Sequence, residues 1–205
     1  MKKILLLTIL LQLSHSIYAQ DECGTWRWRV KLLLDRSGVN WAKVVPESAT
    51  ITEIGERKDQ PNEYEPVGPG DADLVRQPYE RKVVKMTCYV YDVKVNEKDM
   101  EYRLLLSTHK DGTGEKMCAF IPNPGCSSLN ASPDLKRKYA DARYVADDIK
   151  SWNERGYVVK VDLKGVPFWA MLHKSKAYTA NGLEIHPVLK LKAYLPQTRG
   201  MIPKD

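Results

Sequence analysis

A mainly β fold carrying one long helix is predicted by three features of the sequence. From Arg81 onward five segments read as half-buried strands, two of them change phase partway along, and one stretch of three-and-four spacing separates the third from the fourth. Strand, strand, strand, helix, strand, strand is the order of an OB-fold barrel. A phase change lets one strand serve two faces, so a closed five-stranded barrel is favoured over an open α+β sheet.

The chain opens with Lys2 and Lys3, the apolar run ILLLTILLQL, and Ile17-Tyr18-Ala19 before Gln20. A basic head, an apolar run too short to span a bilayer and a small residue at its end predict a cleavable secretory signal over 1–19, cut after Ala19. The expectation is an exported, unanchored chain, periplasmic or secreted, with no transmembrane segment. Loss of Lys2 and Lys3 lowers the formal charge from +6 to +4. That mild excess permits an anionic partner but falls short of the basic stripe of a dedicated nucleic-acid binder. No repeat or composition shift divides the remainder, so a monomer with one core is expected: a segment over 20–56 packed on a barrel of 81–205, joined by a Pro/Gly-rich loop over 57–80.

Trp26 to Asp35 alternates Trp26, Trp28, Val30, Leu32 and Leu34 with Arg27, Arg29 and Lys31, and predicts a strand laid over apolar surface. Its three cations, about 7 Å apart in turn on one face, form a candidate grip for phosphate, sulfate or carboxylate. The same charges also suit a solvated edge that repels other chains. SATITEIGE, Ser48 to Glu56, predicts a helical turn or two capped by Ser48 or Thr50. Gln60 to Pro78, with Pro61, Pro66, Gly68, Pro69, Gly70 and Pro78, predicts a long surface loop.

Arg81 to Val95 is the first barrel strand: Val84, Met86, Cys88 and Val90 share one face, then the pattern slips to Tyr91, Val93 and Val95. Turns at Glu97-Lys98-Asp99 and Lys110 to Gly114 lead into strands at Tyr102 to Thr108 and Lys116 to Ile121. Ser132-Pro133-Asp134 starts the helix, Leu135, Tyr139, Ala142, Ala146 and Ile149 form its buried stripe, and Gly156 stops it. From Tyr157 the alternation of Val159, Val161 and Leu163 slips at Gly165 to Val166 and Phe168. Asn181-Gly182 turns into a closing strand that contains Pro187, which cannot donate to a ladder and predicts an irregular closure.

The block GVPFWAMLHKSKAYTANGLEIHPVL, with CGTWRWRVKLLLD and MCAFIPNPGC upstream, resembles a widespread group of secreted bacterial proteins with no assigned function. That group carries Gly-Val-x-Phe-Phe, Leu-His-Gly and Asn-Gly-x-Glu-Leu-His-Pro-Val at the matching places, and the resemblance implies an OB-like barrel. Thr25, Arg103, Ala170 and Lys174 stand where the group has glutamate, histidine, aspartate and glycine, so chemistry that needs those residues is not expected. All four cysteines, Cys23, Cys88, Cys118 and Cys126, lie past the signal, where disulfides are the default and three pairings are open. Cysteines matching Cys23 and Cys126 recur in the group, so the resemblance implies that pair, with Cys88 and Cys118 bonded to each other or left as buried thiols.

Candidate chemistry is sparse. His173 and His186, both matched by histidines of that group, with Glu184 two residues from His186 on one strand face, are candidate general bases or metal ligands. A metal needs three or more protein ligands and no third is identifiable, so no metal or cofactor is expected. Hydrogen bonding within the barrel closure explains the same histidines. Tyr89, Tyr91 and Tyr102 lie where an OB barrel offers stacking faces to oligonucleotides or sugars, although tyrosines also fill barrel walls. No nucleophile elbow, phosphate loop or zinc-protease helix occurs. The leading expectation is a non-catalytic module that binds an anionic polymer, saccharide or protein of the cell envelope through Arg27, Arg29, Lys31 and those tyrosines. The alternatives are a metal-assisted hydrolase or nuclease-like phosphodiesterase around His173, Glu184 and His186, and a purely structural protein.

Overall fold

The computed structural model describes residues 27–35, 37–58, 76–96, 100–126, 131–170 and 179–195. Its sheet runs β1 (Glu47–Ser48), β2 (Val84–Val95), β3 (Tyr102–Ser107), β4 (Lys116–Ile121), β6 (Leu183–Tyr194), β5 (Val159–Trp169), and a β2–β5 pairing closes the last five into a barrel. Helix α3 (Pro133–Asn153) separates β4 from β5, which is the OB order.

Both phase changes are bends. The β2–β3 register shifts between Val90 and Asp92, so β2 pairs with β5 over Val84–Val90 and with β3 over Tyr89–Val95. The β5–β6 register shifts on both sides of Gly165. A Cβ at Gly165 would stand 2.3 Å from Ile185 Cγ2 and 2.7 Å from the Pro187 carbonyl, so only glycine lets the strands approach this closely. Pro187 follows a cis peptide bond beside this irregular closure, and β6 meets β4 through a single parallel bridge, Ala119 with Ile185.

The barrel is filled by alternate residues: Met86, Cys88 and Val90 of β2, Leu104 and Leu106 of β3, Met117, Ala119 and Ile121 of β4, Val161 and Leu163 of β5, Ile185 and Leu191 of β6. Against it α3 lays Ala142, Ala146 and Ile149. The helix begins where Ser132 Oγ accepts the Leu135 amide at 3.3 Å, and Gly156 beyond its end adopts φ +84°.

The N-terminal segment departs from expectation. Residues 27–35 form no strand: α1 (Trp28–Lys31) is one helical turn between Arg27 (φ 55°) and Leu33 (φ 59°). A strand presents its apolar residues to one side, whereas here they meet three surfaces. Trp28 and Leu32 pack with Cys126 and Tyr139, Val30 with Phe168 and Ala170, and Leu33 with Val83 and Val166. Next, β1 runs parallel to Val84–Lys85, and α2 (Ile51–Gly55) is capped by Thr50, whose side chain and that of Glu53 cap each other's amides. The end of the expected surface loop is interior: Arg76, Tyr79 and Glu80 are buried, the last two on a 3₁₀ turn, Pro78–Arg81.

Cys88 and Cys118 are buried and in no disulfide, so they do not bond to each other. Cys88 faces the barrel core from β2, whereas Cys118 alternates with core-facing Met117 and Ala119 on β4. With β3 between them, two strand spacings of about 4.8 Å exceed the reach of a disulfide, whose Cα atoms lie within about 7 Å. Cys126 is disulfide-bonded, and Cys23, the partner the resemblance implies, lies outside the described residues.

Candidate functional site

On the outer wall of β6, Glu184 and His186 point away from the Ile185 side chain and would meet solvent on a bare barrel. Both are buried. Phe120 of β4 stacks on the His186 ring at 5.0 Å and 10°, and Phe168 of β5, the register partner of Glu184, tilts against it at 5.8 Å. Above Phe168 lie the Arg27 guanidinium, 4.8 Å from the ring centre, and the Lys31 ammonium at 5.3 Å. The N-terminal turn is thus the lid over this histidine.

His186 bridges two carboxylates. Its Nε2 lies 2.8 Å from Glu101 Oε1, just ahead of β3, and its Nδ1 lies 3.5 Å from Glu184 Oε1, too long for a well-formed hydrogen bond. Burial is the largest influence on the imidazole and favours its neutral form, with Lys31 acting the same way. The charge and hydrogen bond of Glu101, with Glu184, outweigh both and hold His186 above its ordinary value.

A second buried cluster fastens the lid. Arg27 donates to both oxygens of Glu80, which also accept the amides of Trp169 at 2.9 Å and Gln77 at 2.8 Å. Arg76 pairs with Asp35 at 2.7 Å and donates to the carbonyls of Val30 and Glu80. Its burial lowers its pKa against the opposing pull of Asp35. Every Glu80 oxygen therefore has charged and backbone donors, the condition under which a buried pair is tolerated.

Of the sequence-predicted site residues, Glu184 and His186 do come together, while His173 lies outside the described residues. The cationic row does not form. Arg27 is buried on Glu80, Lys31 rests half-buried over Phe168, and Arg29 alone is exposed, because a helical turn points successive residues in different directions. Nor do the tyrosines make one platform. Tyr89 and Tyr91 lie on the outer wall of β2, whereas Tyr102 packs against the core, donates to Asp147 at 2.7 Å and sits under Arg143. Lys116 lies over Tyr91 at 4.4 Å, and burial comes first among the causes that raise the Tyr91 pKa. Sequence reasoning missed Glu101, Glu80, Arg76 and Asp35, since a carboxylate that joins distant segments leaves no periodic trace. Among the described residues no group of three histidine, cysteine or acidic side chains is placed to hold a metal ion.

The other wall of the barrel differs. Register aligns Tyr89, Lys160 and Tyr194 in one row across β2, β5 and β6; Thr87, Asp162 and Lys192 in the next; and Lys85, Lys164 and Lys190 in the third. All nine alternate with core residues and reach solvent to differing degrees. Five ammonium groups thus share a wall about 10 Å by 14 Å. None of the five forms a salt bridge among the described residues, whereas neighbouring Lys82 pairs with Glu47. A shallow groove lined by Ser48, Lys85, Thr87 and Asp162 adjoins this wall.

No protein-family model matches the chain, and no curated protein matches it.

Proposed function

We propose that the protein is an exported, non-catalytic binding module and that its ligand, an anionic component of the cell envelope, lies on the β2–β5–β6 wall. The observation that carries this reading is the set of five lysines, Lys85, Lys160, Lys164, Lys190 and Lys192, held in register around the single carboxylate of Asp162, none of them in a salt bridge among the described residues. Self-repulsion among them disfavours the bare wall, and a polyanion relieves it. Export is supported by the signal-like start and by the disulfide of Cys126, which we assign to Cys23.

The hydrolase reading finds less support. A general base must come within hydrogen-bonding reach of its substrate, yet Glu184 and His186 lie beneath Phe120, Phe168 and the N-terminal turn. Both side chains are buried against barrel residues, which leaves no open side for a reacting group among the described residues.

Binding to immobilised heparin, followed as NaCl is raised, tests the proposal. Wild-type protein is expected to bind and to weaken steeply with salt. The triple variant K160Q/K164Q/K192Q should bind at least about tenfold more weakly, and R29Q should match wild type. Absence of wild-type binding, or a triple variant that binds as wild type does, overturns the reading.

A further inference from the structure

Asp162 stands at the centre of the lysine wall, flanked by Thr87 and Lys192 in its own row and by lysines in the rows above and below. A carboxylate there weakens binding to any ligand that is only an anion. Its geometry is also fixed: one oxygen accepts the Thr87 hydroxyl at 2.7 Å and the other accepts the Tyr194 hydroxyl. Those two bonds, Tyr194 first, with help from Lys192 and Lys160, hold the carboxyl below its ordinary pKa against slight desolvation, so it is ionised at neutral pH.

An ionised carboxylate offers about four acceptor positions, and the two hydroxyls take two of them. What remains is a pair of acceptors on the wall, ringed by ammonium donors. A ligand that fits must carry anionic groups for the lysines and hydroxyl donors for Asp162. A DNA strand supplies the first but has no hydroxyl donor along its backbone, and its phosphates would face a fixed negative charge. Base stacking is also poorly served, since Lys192 and Lys160 lie over the Tyr194 ring at 4.8 and 5.7 Å. An acidic polysaccharide supplies both groups at each sugar.

We propose that Asp162 makes the β2–β5–β6 wall a site for an anionic polysaccharide, accepting sugar hydroxyls while the lysines around it hold carboxylate or sulfate groups, and that it rejects DNA. The lysines supply attraction and Asp162 supplies the discrimination, a division in which the repulsive element sets the choice. This deepens the proposed function and rests on it.

The test compares heparin fragments, alginate oligomers, a single-stranded DNA 20-mer and anionic phospholipid vesicles on wild type, Asp162→Asn and K160Q/K164Q/K192Q. Wild type should prefer an acidic polysaccharide to DNA and vesicles. Asp162→Asn should gain about fivefold or more for DNA and lose about threefold or more for the preferred polysaccharide. Asp162→Ser, which removes the charge with a different shape, must shift both ligands the same way as the asparagine variant. The inference is overturned if wild type prefers DNA or vesicles, or if both aspartate variants strengthen binding to polysaccharide and DNA alike, or alter neither. A triple lysine variant that retains wild-type binding overturns the underlying assignment of the wall instead.

Discussion

Arg27 and Glu80 meet through two bonds of 2.6 Å, guanidinium nitrogens to both carboxylate oxygens, with neither side chain exposed by more than 2%. Fifty-three positions apart, they pin the N-terminal turn to the barrel, because Glu80 also accepts the Trp169 amide. Removing one partner strands the other charge in the interior. Arg27→Met or Glu80→Gln is expected to cost about 3–5 kcal/mol in urea unfolding, and exposed Arg29→Gln to stay within about 0.5 kcal/mol of wild type.

The pair of His186 with Glu101 predicts a pH profile of the opposite sense to acid denaturation. An imidazole whose folded pKa lies above its ordinary 6.5 stabilises the fold in full below that value, and the contribution is lost as pH rises through the folded value. Three charged groups face the ring: Glu101 ahead of β3, Glu184 on its own strand, and Lys31 on α1. The thermal midpoint should therefore fall as pH is raised from about 6 to about 9, and Glu101→Gln should flatten that dependence. A wild-type profile level across this range would count against it.

Thiol chemistry checks the cysteine assignment. Burial, with Asp162 adding a smaller push, raises the Cys88 thiol to about 12, and Cys118 is equally enclosed. Native protein near neutral pH should not react with Ellman's reagent. Unfolded in denaturant without reductant, each chain should release two thiols, those of Cys88 and Cys118. Four thiols would refute the pairing of Cys23 with Cys126.

Two glycines should respond differently to alanine. At Gly165 the new methyl collides with the Pro187 carbonyl, which belongs to the backbone and cannot rotate away. The expected loss is about 3 kcal/mol or more in denaturant midpoint analysis. At Gly156 nothing lies within 4 Å, so Gly156→Ala should cost only about 1 kcal/mol, from the left-handed backbone at φ +84°.

How much of this was legible in the sequence follows from the range of the forces involved. The barrel was, because phase slips at Tyr91 and Gly165 are local signals and each became a register shift at the expected place. The helix was, because Ser132 and the stripe from Tyr139 to Ile149 obey one period. The N-terminal turn was not. Its alternation from Trp26 to Leu32 mimics a strand, and only the three apolar surfaces around the turn make it the better solution. Arg27 read as an exposed cation since its partner sits at the end of a Pro/Gly-rich stretch. The lysine wall was half legible: Lys160 with Lys164 and Lys190 with Lys192 alternate visibly, but joining them to Lys85 requires the β2–β5 register.

The two residues of β1 have an effect out of proportion to their length. They run beside Val84–Lys85, the stretch of β2 that β5 borders on one side and β3 does not reach on the other. Left uncovered, those amides and carbonyls would invite a strand from a neighbouring molecule. By folding back over its own seam, the leader of the barrel keeps each copy from templating the next, and a chain shortened to begin at Val83 is the form expected to polymerise.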